Sequence, residues 1–418
     1  MLYNSNHNNK VNRDNSVSDR KKEQGENLFT PEFKILQFED ENHMILTAVL
    51  SFTPLKAVQN LDDDVTEYVS VIAFLYFPTF QSYFIFMHWL NFPNGKELDK
   101  PECFGLQGGW HILSRISSKN LSSNLRACDI DCNIESDPLF EEGIKKADLV
   151  IIYFHGQIGN RGKENRVNTY KALRVAIPTA DIITIDYRGF ADSDGFPSED
   201  GVLIDARATW DWVVERFPEN KILIYGHSLG SGVAIRLARQ LHEEGIRPLS
   251  LILESPFTSI PDLVTSFRRI PFMKPFVSFP EFIEYFKNSV VHKFDNLEHV
   301  KHINGLPVFI IHAHKDLDIP LSNSRELFNQ IVASRQRQNN HIEHTFTNFA
   351  REGILYMQTD LKTWYLQPFY AAHNNAHGWE FVSEQVKDFL ELNSMSASSS
   401  NNGGNGDHEK RDAWELID

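Results

Sequence analysis

The fold is decided by one stretch in the middle of the chain, Lys221-Ile222-Leu223-Ile224-Tyr225-Gly226-His227-Ser228-Leu229-Gly230-Ser231-Gly232-Val233-Ala234-Ile235. Its first half is an apolar run that ends at a glycine, which is typical of a buried strand. Its second half continues with apolar residues at helical spacing, so Ser228 lies at the corner between a strand and a helix. This pattern predicts a nucleophile elbow, a tight turn that exposes the serine hydroxyl while the Leu229 amide faces the same point.

Further apolar runs extend the pattern on both sides of this turn. They occupy residues 149–154, 182–185, 222–225, 249–253 and 308–311. Uninterrupted runs of this length are typical of parallel strands that are buried on both faces. Helical segments at residues 202–214, 233–244 and 325–332 separate them. The alternation predicts an α/β class protein with a doubly wound, mostly parallel sheet and helices on both faces. Together with the elbow it indicates the α/β-hydrolase fold.

Composition divides the chain into four parts. Residues 1–30 and 394–418 are polar and carry few apolar side chains, so both are predicted to be disordered. Residues 31–107 form a predicted N-terminal extension. Residues 108–393 form a predicted catalytic domain, which includes a cap at residues 257–290.

An apolar stretch at residues 68–92 contains no Asp, Glu, Lys or Arg and is long enough to span a bilayer. Pro78 divides it into two pieces that are each too short to cross alone. Its many aromatic residues suit a membrane interface, which predicts a membrane-associating segment. A spanning helix and a helix packed on the soluble domain remain as alternatives.

The charge balance argues against a polyanionic partner. The chain has 41 Lys and Arg against 56 Asp and Glu, a net charge of −15, so nucleic acid is not an expected partner. Its three cysteines, Cys103, Cys128 and Cys132, predict no disulfide framework. We expect no cofactor and no metal.

A serine hydroxyl needs a general base and an orienting carboxylate, which follow it in this fold in the order acid, then histidine. Asp316 follows the apolar run at 308–311 and is preferred to Asp318, with Glu254 as a minor rival. Two histidines, His373 and His377, precede the predicted terminal helix at residues 382–392. Spacing alone does not choose between them.

The loop after residues 149–154 predicts the second half of an oxyanion hole. It contains His155-Gly156-Gln157-Ile158-Gly159-Asn160, and the Gln157 amide is expected to work together with that of Leu229. His155 is expected to hold the loop by hydrogen-bonding its backbone rather than to act as a base. In the turn after the next strand, Asp186 and Arg188 are expected to form a structural ion pair.

Two further patterns have competing interpretations. His312-x-His314-x-Asp316 resembles the start of a binuclear metal motif, but Leu317 stands where a further histidine is required, so a metallo-hydrolase is disfavoured. The cap contains seven phenylalanines, Phe257, Phe267, Phe272, Phe276, Phe279, Phe282 and Phe286. They predict either a wall for an acyl chain or an ordinary cap packed on its own core.

Several separated strings resemble the α/β-hydrolase-domain group that contains the membrane-associated lysophosphatidylserine lipase, also known as a monoacylglycerol lipase. They are Asp186-Tyr187-Arg188-Gly189, Gly226-His227-Ser228-Leu229-Gly230, Glu254-Ser255-Pro256-Phe257-Thr258 and Glu298-His299-Val300-Lys301-His302-Ile303. The resemblance runs from about residue 78 to 392 and is weak at 333–367. Asp62, Asp63 and Asp64 interrupt the region where the family has its N-terminal membrane helix.

The resemblance implies a serine hydrolase that acts on lysophospholipids and monoacylglycerols at the endoplasmic-reticulum membrane. Carried over by position, it implies Ser228 as nucleophile, Asp316 as acid and His373 as base. An acyl-protein thioesterase of the same fold and a non-catalytic hydrolase-fold binding protein are the alternative functions.

Overall fold

Ten strands within the described part of the chain form one sheet. The computed structural model describes residues 78–88, 90, 104–106, 109–114, 147–266, 280–336, 344–358, 362–378 and 380–398. The strands are β1 Phe104–Leu106, β2 Gly109–Ile112, β3 Leu149–Phe154, β4 Ala180–Ile185, β5 Ile222–His227, β6 Ser250–Glu254, β7 Val308–Ile311, β8 His344–Asn348, β9 Gly353–Gln358 and β10 Thr363–Pro368.

The sheet has the order β1-β2-β4-β3-β5-β6-β7-β10-β9-β8. The six strands from β4 to β10 in this order pair in parallel, and the strands outside them pair antiparallel. The chain adds β4 on one side of β3 and β5 to β7 on the other, so the winding reverses at β3 and β5. Open α/β sheets bind ligands at the carboxyl ends of the strands at such a reversal. The predicted fold class is confirmed.

Nine α-helices accompany the sheet among the described residues. They are α1 Pro78–Phe86, α2 Glu164–Ala176, α3 Glu199–Val214, α4 Leu229–Glu243, α5 Ile260–Ser266, α6 Pro280–Ser289, α7 Asn296–His299, α8 Leu321–Gln336 and α9 Glu380–Ser398. Helices α3, α4 and α8 bury their apolar residues on one face of the sheet, and α2 and α9 on the other.

Two cores follow from the alternation of side chains along the strands. In β3, Val150 and Ile152 belong to the core under α3 and α4, whereas Ile151 and Tyr153 belong to the core under α2 and α9. All six residues of β3 are buried. This two-sided burial is the reason why the sequence of the strand is apolar throughout.

The far edge of the sheet lies in the part of the chain where the family resemblance is weak. β10 extends the parallel sheet beside β7, and the hairpin β8–β9 covers its outer edge. Trp364 and Leu366 face one core while Tyr365 faces the other, so β10 is as fully buried as the predicted strands. None of these three strands was predicted from the sequence.

The described part of the apolar stretch 68–92 is packed on the hydrolase domain. Its helix α1 begins at Pro78, a residue favoured at the first helical position. Ile85 and Phe86 are buried in the core that also contains α3 and α4. The alternative of a helix packed on the soluble domain therefore applies to these residues. Residues 68–77, 89, 91 and 92 lie outside the described residues.

No helix within the described ranges has the length and the apolar character needed to cross a bilayer.

The predicted cap and the predicted C-terminal tail can be compared with the structure. In the cap, Phe257 and Phe286 are buried in the main core, whereas Phe267, Phe272, Phe276 and Phe279 lie outside the described residues. Helix α9 continues to Ser398, into the segment predicted to be a disordered tail. The remainder of that tail and the predicted disordered segment 1–30 lie outside the described residues.

Candidate active site

The turn between β5 and α4 has the strained geometry of a nucleophile elbow. Ser228 has φ 53° and ψ −121°, a region that costs a non-glycine residue about 1–3 kcal/mol. A side chain at Gly230 would overlap the carbonyl of Phe154, and one at Gly226 would overlap the backbone of Gly230 and Ser231. The flanking glycines therefore allow β3, β5 and α4 to approach closely around the serine.

The structure brings Ser228, His373 and Asp316 together in one hydrogen-bonded row. His373 Nε2 lies 3.0 Å from Ser228 Oγ, and His373 Nδ1 lies 2.8 Å from Asp316 Oδ2. A carboxylate accepts only, so Nδ1 carries the proton and Nε2 is free to accept the proton of the serine hydroxyl. The three residues come from the ends of β5, β7 and β10, which lie at the same edge of the sheet.

Asp316 is held as a buried carboxylate by several donors. Oδ1 accepts the backbone N–H groups of Asp318 and Ile319 at 2.9 and 2.8 Å. Oδ2 accepts the Ser255 hydroxyl at 2.8 Å, in addition to His373. Burial alone would raise the pKa of Asp316, but the neighbouring His312 ring and the hydrogen bond from His373 outweigh it and hold this pKa well below its ordinary value. The carboxylate is therefore ionised at neutral pH.

The charge of Asp316 acts in turn on His373. Burial would lower the pKa of His373, but the hydrogen bond to Asp316 and the charge of that carboxylate raise it above the ordinary value of 6.5. A raised pKa makes the ring a stronger base toward the proton of the serine hydroxyl. The pair can thus stabilise an imidazolium that forms when the serine proton is transferred.

His377, the other candidate base, has a carboxylate partner of its own. Its Nδ1 lies 3.6 Å from Glu254 Oε1 and donates a hydrogen bond to Thr169 Oγ1 at 3.0 Å. Glu254 also accepts the Tyr225 hydroxyl at 2.7 Å. Burial would raise the pKa of Glu254, but the neighbouring rings of His377 and His227 and the hydrogen bond from Tyr225 lower it to about 2. A second buried acid–histidine pair therefore lies beside the row that contains Ser228.

His227 connects this second pair to the loop of His373. Its Nε2–H donates to the backbone carbonyl of His373 at 2.9 Å. Burial lowers the pKa of His227 to about 4, so the ring is neutral at pH 7. His227, which directly precedes Ser228, thus holds the loop that carries His373.

The loop after β3 carries the predicted oxyanion amide and is held by Arg166, which sequence analysis missed. The guanidinium of Arg166 is buried and donates to the carbonyls of Gly156, Gln157 and Ile158 at 2.8, 3.0 and 2.8 Å. A Cβ placed on Gly156 would lie 3.1 Å from Cβ of Ser228, so this loop passes directly beside the elbow. The only sequence signal for Arg166 was an arginine in the first turn of the helix that follows the loop.

The expected role of His155 agrees with its contacts. The Nδ1–H of His155 donates to the carbonyl of Gly156 at 2.8 Å, and Nε2 lies 3.0 Å from Asp186 Oδ1. The ring is therefore directed toward the loop backbone and a carboxylate.

The expected ion pair between Asp186 and Arg188 is wrong. Asp186 instead accepts from the side chain and backbone of Arg161, while Arg188 pairs with Asp205 on α3 at 2.7 Å. Each of the two side chains therefore has a partner from another part of the chain. Arg161 also pairs with Asp192, which ties this turn to the loop after β3.

Three possible metal-ligand atoms, on Asp316, Asp318 and His373, lie within 4.8 Å of one another. Both oxygens of Asp316 already accept hydrogen bonds, and Nδ1 of His373 donates to one of them. Of the pattern that suggested a metallo-hydrolase, His312 donates to the carbonyl of Ile319, and His314 lies against Gln367. These contacts do not fit a metal centre built from residues 312, 314 and 316.

Comparisons with known proteins identify several proteins to which this chain is similar. The family described as "Serine aminopeptidase, S33" matches residues 145–280, a range that contains Ser228. The lysophosphatidylserine lipase ABHD12 of Mus musculus is 34% identical over 276 residues, which cover 62% of this chain and 65% of the mouse protein. The proteins of the same name from Gallus gallus and Danio rerio are 34% and 31% identical, and the alignments cover 68% and 69% of their lengths. An esterase from Pyrococcus furiosus of known structure aligns with a TM-score of 0.42 and 19% identity over 59% of this chain and 83% of that chain.

The sheet order and the elbow define an α/β hydrolase. The chain spans about two thirds of the length of the curated relatives it matches. It belongs to the family of the lysophosphatidylserine lipases ABHD12, as the sequence resemblance predicted.

Proposed function

We propose that this chain is a carboxylic ester hydrolase that cleaves the fatty-acyl ester of lysophospholipids, with lysophosphatidylserine among its substrates. The observation that carries the proposal is the position of His373, whose two ring nitrogens contact Ser228 and Asp316 at 3.0 and 2.8 Å. The substrate class is supported by the names of the relatives, which are lysophosphatidylserine lipases.

In the proposed mechanism His373 Nε2 takes the proton of Ser228 as Oγ attacks the acyl carbon. Asp316 orients the ring and stabilises the imidazolium. The Gln157 and Leu229 amides donate to the tetrahedral oxyanion, and each such donor is worth about 3–4 kcal/mol of transition-state stabilisation. The intermediate collapses, His373 returns the proton to the departing glycerol oxygen, and the acyl group remains on Ser228. Water, activated by His373, then releases the fatty acid.

We extend the proposal to monoacylglycerols as further substrates and to the endoplasmic-reticulum membrane as the place of action. Both follow from the family resemblance, and the apolar stretch at residues 68–92 is consistent with a membrane location. A long acyl chain would contribute about 0.8 kcal/mol for each methylene group that it buries.

The test is covalent labelling with a fluorophosphonate probe, followed by hydrolysis of lysophosphatidylserine by the same panel of variants. We expect the probe to label the wild type but not Ser228→Ala. The rate of lysophosphatidylserine hydrolysis by His373→Ala should be at least about 1,000-fold lower than that of the wild type. His377→Ala is the matched control, because His377 contacts Glu254 rather than Ser228, and should retain most of its labelling. Undiminished labelling of His373→Ala would contradict the proposed base.

The same panel separates the alternative functions. An acyl-protein thioesterase would hydrolyse an S-acyl peptide faster than lysophosphatidylserine. A non-catalytic binding protein would bind lipid without being labelled at Ser228. The short distances among Ser228, His373 and Asp316 favour a catalytic role over pure binding.

A further inference from the structure

The loop that carries the Gln157 amide has a backbone that is costly to maintain. Ile158 has φ 62° and Gly159 has φ 74°, so two successive residues adopt the left-handed region. Such a conformation persists when neighbouring groups hold it in place. Arg166 donates to the carbonyls of this loop, and a different group accepts from one of the loop's N–H groups.

The acceptor for the Gly159 N–H comes from the apolar stretch at residues 68–92. The Gly159 N–H donates to the carbonyl of Leu90 at 2.7 Å. Leu90 in turn donates its N–H to Met87 at 3.0 Å, and Met87 donates to Tyr83 in α1 at 3.0 Å. A short chain of backbone hydrogen bonds therefore leads from the oxyanion loop into α1.

Helix α1 is itself fixed at its other side, against the segment that follows α6. Gln81 is buried and makes two hydrogen bonds, to the carbonyl of Ser289 at 2.8 Å and from the N–H of Val291 at 2.7 Å. Ser82 Oγ lies 2.6 Å from His292 Nε2. Phe86 is completely buried. These polar contacts fix the rotation of α1, which a purely apolar contact would leave less well defined.

A second contact joins the same segment to the site. The ring of His88 stacks on Tyr83 and lies 6.0 Å from that of Phe190, which lies 5.4 Å from the ring of His155. Burial lowers the pKa of His88 to about 4, so this contact is made by a neutral ring at pH 7. Residues 78–88 and 90 thus approach the oxyanion loop both at Gly159 and behind His155.

We propose that residues 78–88 and 90, which we call the strap, are a positioning element of the oxyanion hole: the Leu90 carbonyl fixes the Gly159 amide, and α1 carries that carbonyl at a set distance from the cap. The inference rests on the proposed function, because it assigns the loop at residues 157–159 to the oxyanion hole. The strap touches no reacting atom in this proposal and acts through the backbone of the loop.

The first test measures the hydrogen bond without using activity. Gln81→Leu keeps the side-chain volume and removes both hydrogen bonds that anchor α1, and Ser82→Ala is a milder second variant in case the first does not fold. We expect the Gly159 amide to be protected from hydrogen exchange in the wild type and to exchange at least tenfold faster in the variants. Equal exchange in wild type and variants would overturn the proposal.

The second test measures the consequence, with a short-chain, water-soluble ester so that no lipid interface is involved. We expect kcat of Gln81→Leu to fall about tenfold while KM stays within about twofold, because oxyanion donors act mainly in the transition state. Leu327→Ala, a core truncation in α8, is the control for a general loss of stability. An equal fall of kcat in Leu327→Ala, or a change confined to KM, would refute the positioning role. Turnover that persists in Ser228→Ala would instead refute the proposed function and leave the exchange test to decide on the strap.

Discussion

At the scale of single residues, the candidate site depends on which carboxylate each histidine meets. His373 meets Asp316 and His377 meets Glu254, although the two histidines are only four positions apart in the sequence. His377 lies in the short 3-10 helix Ala376–Gly378, whereas His373 lies in the loop before it, and the ring of His377 faces Glu254 at the end of β6. No spacing rule distinguishes them, because the choice depends on the ends of β6 and β7 in three dimensions.

Replacement of Asp316 tests the charge that acts on His373. In the wild type, kcat/KM should rise with pH as the base loses its proton, with a midpoint above 6.5 because the pKa of His373 is raised. Asp316→Asn removes the negative charge, so the midpoint should move to lower pH, and kcat should fall by about 10,000-fold. The measurement is a pH profile of kcat/KM for a soluble ester.

Asp318→Asn serves as the comparison for that experiment. Asp318 also raises the pKa of His373, but it does so through its charge alone. We expect a smaller downward shift and less than about a threefold loss of kcat above the midpoint. Equal effects of the two substitutions would contradict the special role of Asp316.

At the scale of elements, the loop after β3 shows how a helix can shape a site without a side chain facing it. Arg166 lies in the first turn of α2 and reaches back to four carbonyls, those of Gly156, Gln157, Ile158 and Asn160. With the carbonyls held on that side, the amides are left to face elsewhere. The buried guanidinium is therefore a structural support for the candidate oxyanion loop.

Arg166→Met should weaken both stability and turnover. It keeps much of the side-chain volume but leaves four carbonyls without their charged donor, a loss of about 3 kcal/mol or more in the free energy of unfolding. Arg207→Met is the control, because that arginine pairs with the more exposed carboxylates of Asp211 and Glu244. Urea unfolding should show that the control loses at most about 1 kcal/mol of its free energy of unfolding. Equal losses would argue against the support given by Arg166.

The strands also show how far sequence can predict such a fold. The five predicted strands, β3 to β7, coincide with apolar runs because both of their faces are buried. β8 and β9 form the outer edge: half-buried and exposed positions alternate in β8, and the apolar run of β9 at residues 354–357 lies in the region with little family resemblance. β10 is fully buried, but it lies in the region with little family resemblance, and its run contains Thr363 and Gln367.

At the scale of the whole molecule, one sheet separates two apolar cores, and the candidate site lies among buried carboxylates at the ends of its strands. Asp316, Glu254 and Asp186 are buried carboxylates whose pKa values are lowered, in each case because hydrogen bonds and opposite charges outweigh burial. The net charge of the chain is −15, but these three carboxylates differ from exposed acidic groups because each is buried with hydrogen-bonding partners. They stabilise the fold only while they remain ionised and paired.

The sequence predicted the class of the molecule better than its polar interior. The elbow and the apolar runs determine the sheet, and the family follows from separated strings, three of which lie at the ends of β4, β5 and β6. The partners of Asp186 were predicted wrongly because sequence proximity suggested Arg188, whereas Arg161 comes from another loop. Buried ion pairs depend on which strand ends are adjacent, and adjacency is a property of the finished sheet.

Glu254→Gln provides the last prediction, which concerns the pH dependence of stability. The pKa of Glu254 is lowered from 4.5 to about 2 in the folded state, which corresponds to about 3 kcal/mol in favour of the ionised, folded form. Because the folded pKa is depressed, this contribution is present above pH 4.5 and is lost as the pH falls toward 2. The variant should therefore unfold more easily than the wild type at pH 7, and the difference should shrink steadily below pH 4.5. Urea unfolding at several pH values measures it, with Glu281→Gln as an exposed control that should track the wild type. A difference between Glu254→Gln and the wild type that stayed constant from pH 7 to pH 3 would show that packing, and not the buried charge, accounts for the loss.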